Sequence, residues 1–146
     1  IADALDFIHN AGVTHGDLTT ANICLDKRLD AKLADFAGSS IDSLPPLVAV
    51  TVSHEHPRNP FSIQGDIFAF GPMMCEVVIG ERPFAALGEA EVRARYQRNK
   101  FPDTTSLGSL GYIIKRCWES SYKNSTFLVK DLAWSTGDPS SCQPPS

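Results

Sequence analysis

The sequence has little that would place the protein in a membrane or on a nucleic acid. No apolar run in its 146 residues approaches the roughly 20 residues that a membrane-spanning helix needs. Positive charge is not in excess either, since 13 Lys and Arg face 17 Asp and Glu and give a formal charge of -4. We therefore expect no transmembrane helix, no membrane partner and no nucleic-acid partner.

The cysteines lack the close pairing that zinc and redox sites use. Cys24, Cys75, Cys117 and Cys142 form no C-x-x-C pair, which argues against a zinc site or a thioredoxin-like motif. The first three lie in apolar runs and are predicted to be reduced, buried thiols. This cysteine usage indicates a reducing, cytoplasmic environment.

The first residues lack the charged segment and long apolar core of a signal peptide. Ile1, Ala4, Leu5 and Ile8 have the spacing of one helix face, so the sequence begins inside a helix, which Gly12 ends. We interpret the chain as a fragment of a longer domain.

A small β-hairpin and a long loop are predicted next. Residues 23–25 and 31–33 are short apolar runs separated by a five-residue connection, which is typical of a hairpin. Residues 34–64 contain four prolines and little helical periodicity, so we expect a functional loop in which residues 47–52 could form a strand.

Helices account for most of the remaining sequence. Residues 66–78 are apolar on all sides, which predicts a buried helix that Gly80 ends, although Pro72 removes one backbone hydrogen bond. Further helices are predicted at residues 89–98, along the stripe from Leu107 to Trp118, and after a cap at Asn124 or Ser125. The fold class is therefore mainly α with a small β-hairpin.

Two polar motifs flank the predicted hairpin. The first is His15-Gly16-Asp17-Leu18-Thr19-Thr20-Ala21-Asn22, and the second, 13 residues after Asn22, is Asp35-Phe36-Ala37. Together they resemble the H-R-D-L-x-x-x-N catalytic loop and the D-F-G motif of eukaryotic protein kinases.

The resemblance implies a role for each residue of these motifs. Asp17 would be the catalytic residue that accepts the hydrogen bond of the attacking hydroxyl. Asn22 and Asp35 would bind the cofactors, as ligands of the Mg²⁺ that accompanies ATP, because Mg²⁺ prefers a few hard oxygen ligands. The hairpin would fold Asn22 and Asp35 back toward one another.

Downstream motifs extend the resemblance over nearly the whole chain. They are Ser53-His54-Glu55 in place of A-P-E, Asp66-Ile67-Phe68-Ala69-Phe70-Gly71, Gly80-Glu81-Arg82-Pro83-Phe84, and Lys115-Arg116-Cys117-Trp118. The pattern is similar to kinase-like proteins of filamentous fungi. It implies that residues 1–134 are a partial protein kinase-like domain, the C-terminal large lobe without the small lobe, and that residues 135–146 are a disordered tail.

Several positions depart from the kinase pattern. The ten glycines never fall as G-x-G, and no strand resembles V-A-I-K. Gly16 replaces the usual arginine, the catalytic loop has no cation, and Ala37 replaces the glycine of D-F-G. Ser125 stands where an arginine would pair with Glu55, so Glu55 is expected to have no partner.

Two functions remain open at this point, together with a third possibility, that the sequence is a non-functional gene fragment. The first is a protein kinase that transfers phosphoryl groups from ATP to Ser or Thr hydroxyls of a protein substrate, although we do not expect the lobe to catalyse this alone. Ser/Thr specificity is inferred because the loop lacks the A-A-R-N pattern of tyrosine kinases. The alternative is a pseudokinase or remnant lobe that binds a protein partner without catalysis, and an isolated lobe would expose apolar surface and dissolve poorly.

Other polar residues are given structural roles. His15 is expected to hydrogen-bond the backbone, and His54 and His56 to be solvated loop histidines without a metal. A basic cluster is expected to form a solvated helix face; it consists of Arg93, Arg95, Arg98 and Lys100. Five hydroxyls could be phosphorylated, and the sequence does not choose among them; they are Ser39, Ser40, Ser43, Thr51 and Ser53.

Overall fold

The computed structural model of the chain describes residues 1–41 and 50–137. Its helices are α1 (Ala2–Asn10), α2 (Ile63–Ile79), α3 (Glu89–Gln97), α4 (Gly108–Trp118) and α5 (Ser125–Ser135). Its strands are β1 (Val13–Thr14), β2 (Ile23–Leu25), β3 (Ala31–Leu33) and β4 (Ser40–Ile41). The predicted fold class, mainly α with a small β-hairpin, is confirmed.

Helix α2 is the centre of the fold. Ser62 caps its N-terminus by accepting a hydrogen bond from the Gly65 amide at 3.0 Å, so the helix begins three residues earlier than the predicted position 66. Gly80 ends it in the left-handed conformation, as predicted. Pro72 lies in the helix interior, within the buried run 65–73. The prediction of a helix buried on all sides is wrong at its C-terminal end, where Val77 and Val78 are exposed.

Two groups of buried side chains pack against α2. The larger one joins α1, α4 and α5 through residues such as Leu5, Leu128 and Cys117. The other is largely aromatic: Phe68 meets Tyr96 at 5.2 Å between ring centroids, and Phe101 stacks on Trp118 at 5.6 Å. These contacts fix α3 and α4 relative to α2.

The predicted hairpin is present with its predicted connection. Strands β2 and β3 are antiparallel, with Ile23 opposite Leu33 and Leu25 opposite Ala31. A second pairing, β1 with β4, places Val13 opposite Ile41. The sequence did not predict this second pairing, since each of its strands has only two residues.

Some predictions need correction or lie outside the described residues. Cys24 is exposed, so its prediction as a buried thiol is wrong, whereas Cys75 and Cys117 are buried and unpaired as expected. Residues 47–49 of the predicted strand at 47–52 lie outside the described residues, and Val52 begins a single 3₁₀ turn. Helix α5 extends to Ser135, with Asn124 as its cap. Residues 138–146 of the predicted tail lie outside the described residues, so the tail stays a prediction.

Apolar surface remains exposed beside α2. A groove of about 560 Å³ is lined by apolar side chains of α1, β2, α2 and α5, among them Ile1, Ile23, Met73, Val77 and Leu132. Poor solubility of the chain stays a prediction that this surface supports. Within the described ranges, none of the helices combines the length and the apolar character that crossing a bilayer requires.

The contact between α2 and α4 gives a stability prediction. A Cβ atom added at Gly71 would lie 2.7 Å from Nε1 of the buried Trp118 indole. We expect Gly71→Ala to lower the free energy of unfolding by about 2 kcal/mol, because overpacking a tight core forces rigid side chains apart. Gly88→Ala is the control, since Gly88 has open space around it and should lose less than about 1 kcal/mol. Urea unfolding followed by circular dichroism measures both, and equal losses would contradict the packing argument.

Candidate active site

The candidate catalytic loop, residues 15–22, is held by a buried carboxylate of α2. Asp66 is 1% exposed and accepts hydrogen bonds from the backbone amides of His15 at 2.6 Å and Gly16 at 2.9 Å. The His9 imidazole of α1 contacts the same carboxylate at 2.9 Å. We call His9, His15, Gly16 and Asp66 the Asp66 cluster. It fixes the start of the loop to the most buried helix of the fold.

The glycine at position 16 has a steric cause. Its φ of +79° lies in the left-handed region, and a Cβ there would approach the Gly38 carbonyl oxygen to 2.4 Å. An arginine at this position would therefore collide with the backbone that follows the Asp35 motif. The departure from the kinase pattern at Gly16 is required by this close backbone approach.

Asp17 is half-buried and hydrogen-bonded through both carboxylate oxygens. Its Oδ2 accepts from the Asn22 amide at 3.1 Å, and its Oδ1 accepts from the Thr51 hydroxyl at 3.3 Å. Asn22 also donates to the Asp17 carbonyl at 2.8 Å, which closes the loop on itself. Thr51 was considered in the sequence only as a phosphorylation site, because no local signal pairs it with a residue 34 positions earlier.

The hairpin returns the chain to Asn22. The Ala34 amide donates to the Asn22 carbonyl at 2.9 Å, so Asp35 follows directly after a residue bonded to Asn22. The His15 ring donates from Nε2 to the Ala34 carbonyl at 3.0 Å and lies edge-on to Phe36 at 5.0 Å. The predicted backbone hydrogen bond of His15 is confirmed. The structure thus places both predicted motifs side by side.

Asp35 occupies a strained backbone position. Its φ is 56° and its ψ is 78°, and its Oδ1 accepts from the Ala37 amide at 3.2 Å. A positive φ is uncommon for a residue with a side chain, and such positions concentrate at functional sites. The side chain is exposed and can reach a ligand from solvent.

The donor set at this position fits Mg²⁺. Asn22 uses its amide NH₂ group in both of its side-chain hydrogen bonds, so its Oδ1 can ligate, and Asp35 adds carboxylate oxygen. Mg²⁺ is bound through one or two such protein oxygens while it keeps waters and phosphate oxygens. Throughout the described part of the chain, no cluster of three or more His, Cys, Asp or Glu could hold a metal by itself.

A second helix residue supports the loop. Thr20 donates to Glu76 of α2 at 2.8 Å, ten residues along the same helix from Asp66. The loop is therefore attached to α2 at its beginning, through Asp66, and near its end, through Glu76. The sequence did not predict the role of Glu76, which lies in a buried apolar helix.

The segment after Thr51 differs from its prediction. His54 is 1% exposed, so its assignment as a solvated histidine is wrong. Burial lowers the pKa of His54 from 6.5 to about 4. The nearby carboxylates of Glu76 and Asp17 act in the opposite direction, but their effect is smaller. The Ser53 hydroxyl lies 2.9 Å from its Nδ1.

His56 is also not a freely solvated residue. Its Nδ1 accepts hydrogen bonds from the backbone amides of Arg58 at 3.1 Å and Asn59 at 3.0 Å. Its ring lies edge-on to Phe68 at 5.2 Å, and partial burial lowers its pKa. The expectation that these two histidines bind no metal stays a prediction.

Glu55 has a partner, contrary to the prediction. Arg93 of α3 donates from Nε to its Oε2 at 3.0 Å. Tyr96, one helical turn further along α3, donates to the Ser53 carbonyl at 3.1 Å. Arg95 pairs with Glu91 of the same helix, so part of the predicted basic cluster is neutralised.

Comparison with known proteins gives one family and several relatives. A family model described as the protein kinase domain matches residues 1–132. A probable serine/threonine-protein kinase of Dictyostelium discoideum is 26% identical over 129 residues, which cover 81% of this chain and 14% of that protein. Wall-associated receptor kinase-like 5 of Arabidopsis thaliana is 32% identical over 105 residues, which cover 64% of this chain and 14% of that protein.

A third relative is the serine/threonine-protein kinase A-Raf of Mus musculus. It is 27% identical over 103 residues, which cover 62% of this chain and 17% of that protein. The chain thus spans between 14% and 17% of the length of these three relatives.

Burial of His54 predicts a pH dependence of stability. The unfolded chain binds a proton at His54 near pH 6.5, whereas the folded chain does so only near pH 4. Neutral His54 therefore contributes fully to the free energy of unfolding above pH 6.5. This contribution decreases as the pH falls toward 4, and about 3 kcal/mol is lost in total. We expect His54→Asn to flatten this part of the stability profile in urea titrations from pH 7 to pH 4. His56→Asn is the comparison, and a wild-type slope retained in His54→Asn would contradict the assignment.

Proposed function

Because the chain belongs to the protein kinase domain family, we propose that its site transfers the terminal phosphoryl group of ATP to serine or threonine hydroxyls of proteins. The observation that carries the proposal is the position of Asp17. Its carboxylate is held between the Asn22 amide and the Thr51 hydroxyl, and the Ala34 amide, next to Asp35 in the chain, donates to the Asn22 carbonyl. Two of the similar proteins are serine/threonine-protein kinases by name, one of them a probable one, which supports the choice of hydroxyl.

The proposed roles follow from the chemistry of these side chains. Asp17 accepts the hydrogen bond of the attacking hydroxyl and orients it, and it receives the proton as transfer proceeds. Asn22 and Asp35 hold Mg²⁺ through amide and carboxylate oxygens. The Mg²⁺ that these two side chains would hold would supply positive charge beside the phosphate oxygens of ATP. Asp66 holds the backbone amides of His15 and Gly16 in the first motif, and the His15 ring holds the Ala34 carbonyl just before the second.

We further propose that residues 1–134 are the large, C-terminal lobe of a kinase domain. The helical architecture around α2 supports this division, and so does the lack of any G-x-G or V-A-I-K-like segment in residues 1–146. These two relatives are about six to seven times longer than the regions that match this chain, so we state the activity of the whole relatives only as a proposal for this chain. A special similarity to fungal kinase-like proteins stays a prediction.

The partner we propose is a protein substrate in a reducing, cytoplasmic environment. The buried, unpaired thiols of Cys75 and Cys117 support the compartment. Burial raises the pKa of Cys75 to about 11, so its thiol is protonated and unreactive. The alternative is a pseudokinase, which binds a partner without catalysis, and the following test distinguishes the two functions.

The test requires a protein that can cover ATP. We would join this chain to the small lobe of a serine/threonine kinase, which supplies a glycine-rich loop and a strand lysine, and measure transfer of labelled phosphate to casein. We expect Asp17→Asn to retain Mg-ATP binding and lose about 10²- to 10⁴-fold in turnover, because only the hydroxyl-orienting carboxylate is changed. Asp35→Asn should lose Mg²⁺-dependent ATP binding as well.

Two controls make this result interpretable. Asp3→Asn changes an exposed carboxylate on α1 and should leave turnover unchanged. The chain without the added lobe should show no turnover. Full activity in Asp17→Asn would disprove the role of Asp17, and absence of both binding and turnover in the joined protein would favour the binding-module function.

A further inference from the structure

A small cavity lies between the segment that begins at Thr51, the loop after α2 and helix α3. Its volume is about 140 Å³, and it is lined by residues 51–53, by residues 82–85 and 87, and by Glu89 and Val92 of α3. Thr51 donates to Asp17 at 3.3 Å, so the cavity begins at a residue that contacts the candidate catalytic carboxylate. We call it the Thr51 cavity.

A protein substrate whose hydroxyl is held by Asp17 passes close to the Thr51 cavity. An extended chain advances about 3.3 Å per residue, so residues a few positions from the acceptor hydroxyl reach the cavity. The side chains that line the cavity therefore meet the neighbours of the acceptor residue, and their chemistry determines which neighbours are favoured.

Among the described residues that line the Thr51 cavity, Arg82 is the only cation. Its side chain is exposed, and within the described part of the chain it forms neither an ion pair nor a side-chain hydrogen bond. Other arginines are each paired with a carboxylate; they are Arg28, Arg93, Arg95 and Arg116. A guanidinium presents a planar fork of N–H donors that fits the oxygens of a carboxylate or a phosphate. The fork of Arg82 is therefore available to an anionic ligand.

The carboxylates near the cavity do not neutralise this cation. Glu89 also lines the cavity, but it is not within ion-pairing distance of Arg82 and lies in the first turn of α3, where the helix dipole compensates a negative charge. Arg82, Asp17 and Glu76 all act electrostatically on the pKa of His54, which places the guanidinium near the candidate site. The candidate catalytic loop has no lysine or arginine of its own, so Arg82 is the cation that a substrate meets at this cavity.

The loop that carries Arg82 is held by two turns and by ring packing. The Ala85 amide donates to the Arg82 carbonyl at 3.2 Å, and the Leu87 amide donates to the Phe84 carbonyl at 2.9 Å. Phe84 has a φ of 58°, which is uncommon for a bulky residue, and its ring packs against Tyr96 at 5.8 Å between centroids. Such strained positions concentrate at functional sites and ligand clamps. A loop that is already ordered loses little conformational freedom when Arg82 binds a ligand.

We propose that Arg82 is a specificity-determining residue whose guanidinium binds an anionic side chain of the protein substrate, a carboxylate or a phosphate, within a few residues of the acceptor hydroxyl. The chain therefore prefers acidic protein segments to neutral or basic ones. The selection of acceptor residues rests on the proposed function, whereas the binding of an acidic segment does not.

Peptide binding to the full chain tests this preference without any need for activity. Each fluorescein-labelled peptide has one serine flanked on both sides by alanines and glutamates, and matched peptides carry glutamine or lysine in place of the glutamates. We expect fluorescence anisotropy to show about tenfold tighter binding of the glutamate peptide than of the glutamine peptide, because the charge-assisted hydrogen bonds of Arg82 are lost with glutamine. The lysine peptide should bind most weakly. Equal dissociation constants for the glutamate and glutamine peptides would overturn the proposal.

A phosphoserine peptide distinguishes the two sources of the anion. Phosphoserine replaces the glutamates of the first peptide, and the central serine is retained. Tighter binding of the phosphoserine peptide than of the glutamate peptide would support the proposal with phosphate as the preferred anion. Tighter binding of the glutamate peptide would support it with a carboxylate.

Variants test whether Arg82 is the source of the preference. Arg82→Gln should abolish the difference between the glutamate and glutamine peptides, and Arg82→Lys should retain part of it, because lysine keeps the charge without the planar fork. Arg98→Gln is the matched control, since Arg98 is an exposed arginine that does not line the cavity and has no ion pair within the described residues. An equal loss of preference in Arg98→Gln would show that net charge is responsible and would contradict the role of Arg82.

The joined protein separates this inference from the proposed function. There, Arg82→Gln should raise KM for the glutamate peptide about tenfold, because a substrate contact is lost, whereas Asp17→Asn should lower kcat. A lower kcat without a change in KM in Arg82→Gln would contradict a role in substrate binding. Absence of turnover, together with a retained preference for the glutamate peptide, would refute the proposed function and leave the binding role of Arg82 standing.

Discussion

The position of the candidate catalytic loop depends on one buried carboxylate. Asp66 accepts hydrogen bonds from a side chain of α1 and from two successive amides of the loop. Hydrogen bonds to a charged group contribute about 1.5 to 3 kcal/mol each, and a buried carboxylate that loses a donor is strongly penalised. Because residues 65–73 of α2, which include Asp66, are buried, the carboxylate cannot follow the loop, and the loop must remain where Asp66 is.

The departures from the kinase pattern are connected with one another through this arrangement. Gly16 is required because its backbone passes against Gly38. Ser125, which stands where an arginine was expected, contacts His9 and Asp6 instead of Glu55. Glu55 then pairs with an arginine from a different helix, α3. Ser125 and Glu55, the two polar groups affected by the missing arginine, are therefore each satisfied by another contact, which is what buried or half-buried groups require.

The sequence predicted those features that depend on neighbouring residues. The β2–β3 hairpin, the Gly80 stop and the Asn124 cap each need only a short segment, and all are present. Contacts between distant residues were not predictable, because no periodicity links Thr51 to Asp17 or Arg93 to Glu55. The same limit applies to His54: its burial depends on the packing of other elements around a loop that has ordinary loop composition.

Helix α3 connects the surface of the protein to the candidate catalytic residue. Its Tyr96 hydroxyl holds the Ser53 carbonyl, and its Arg93 holds Glu55, so it fixes the segment from both sides of His54. Thr51 lies two residues before Ser53 and donates to Asp17. The Tyr96 ring packs against Phe68 of α2, which makes the helix rigid at that point. A displacement of α3 would move the donor of one Asp17 oxygen, while Asn22 would still hold the other.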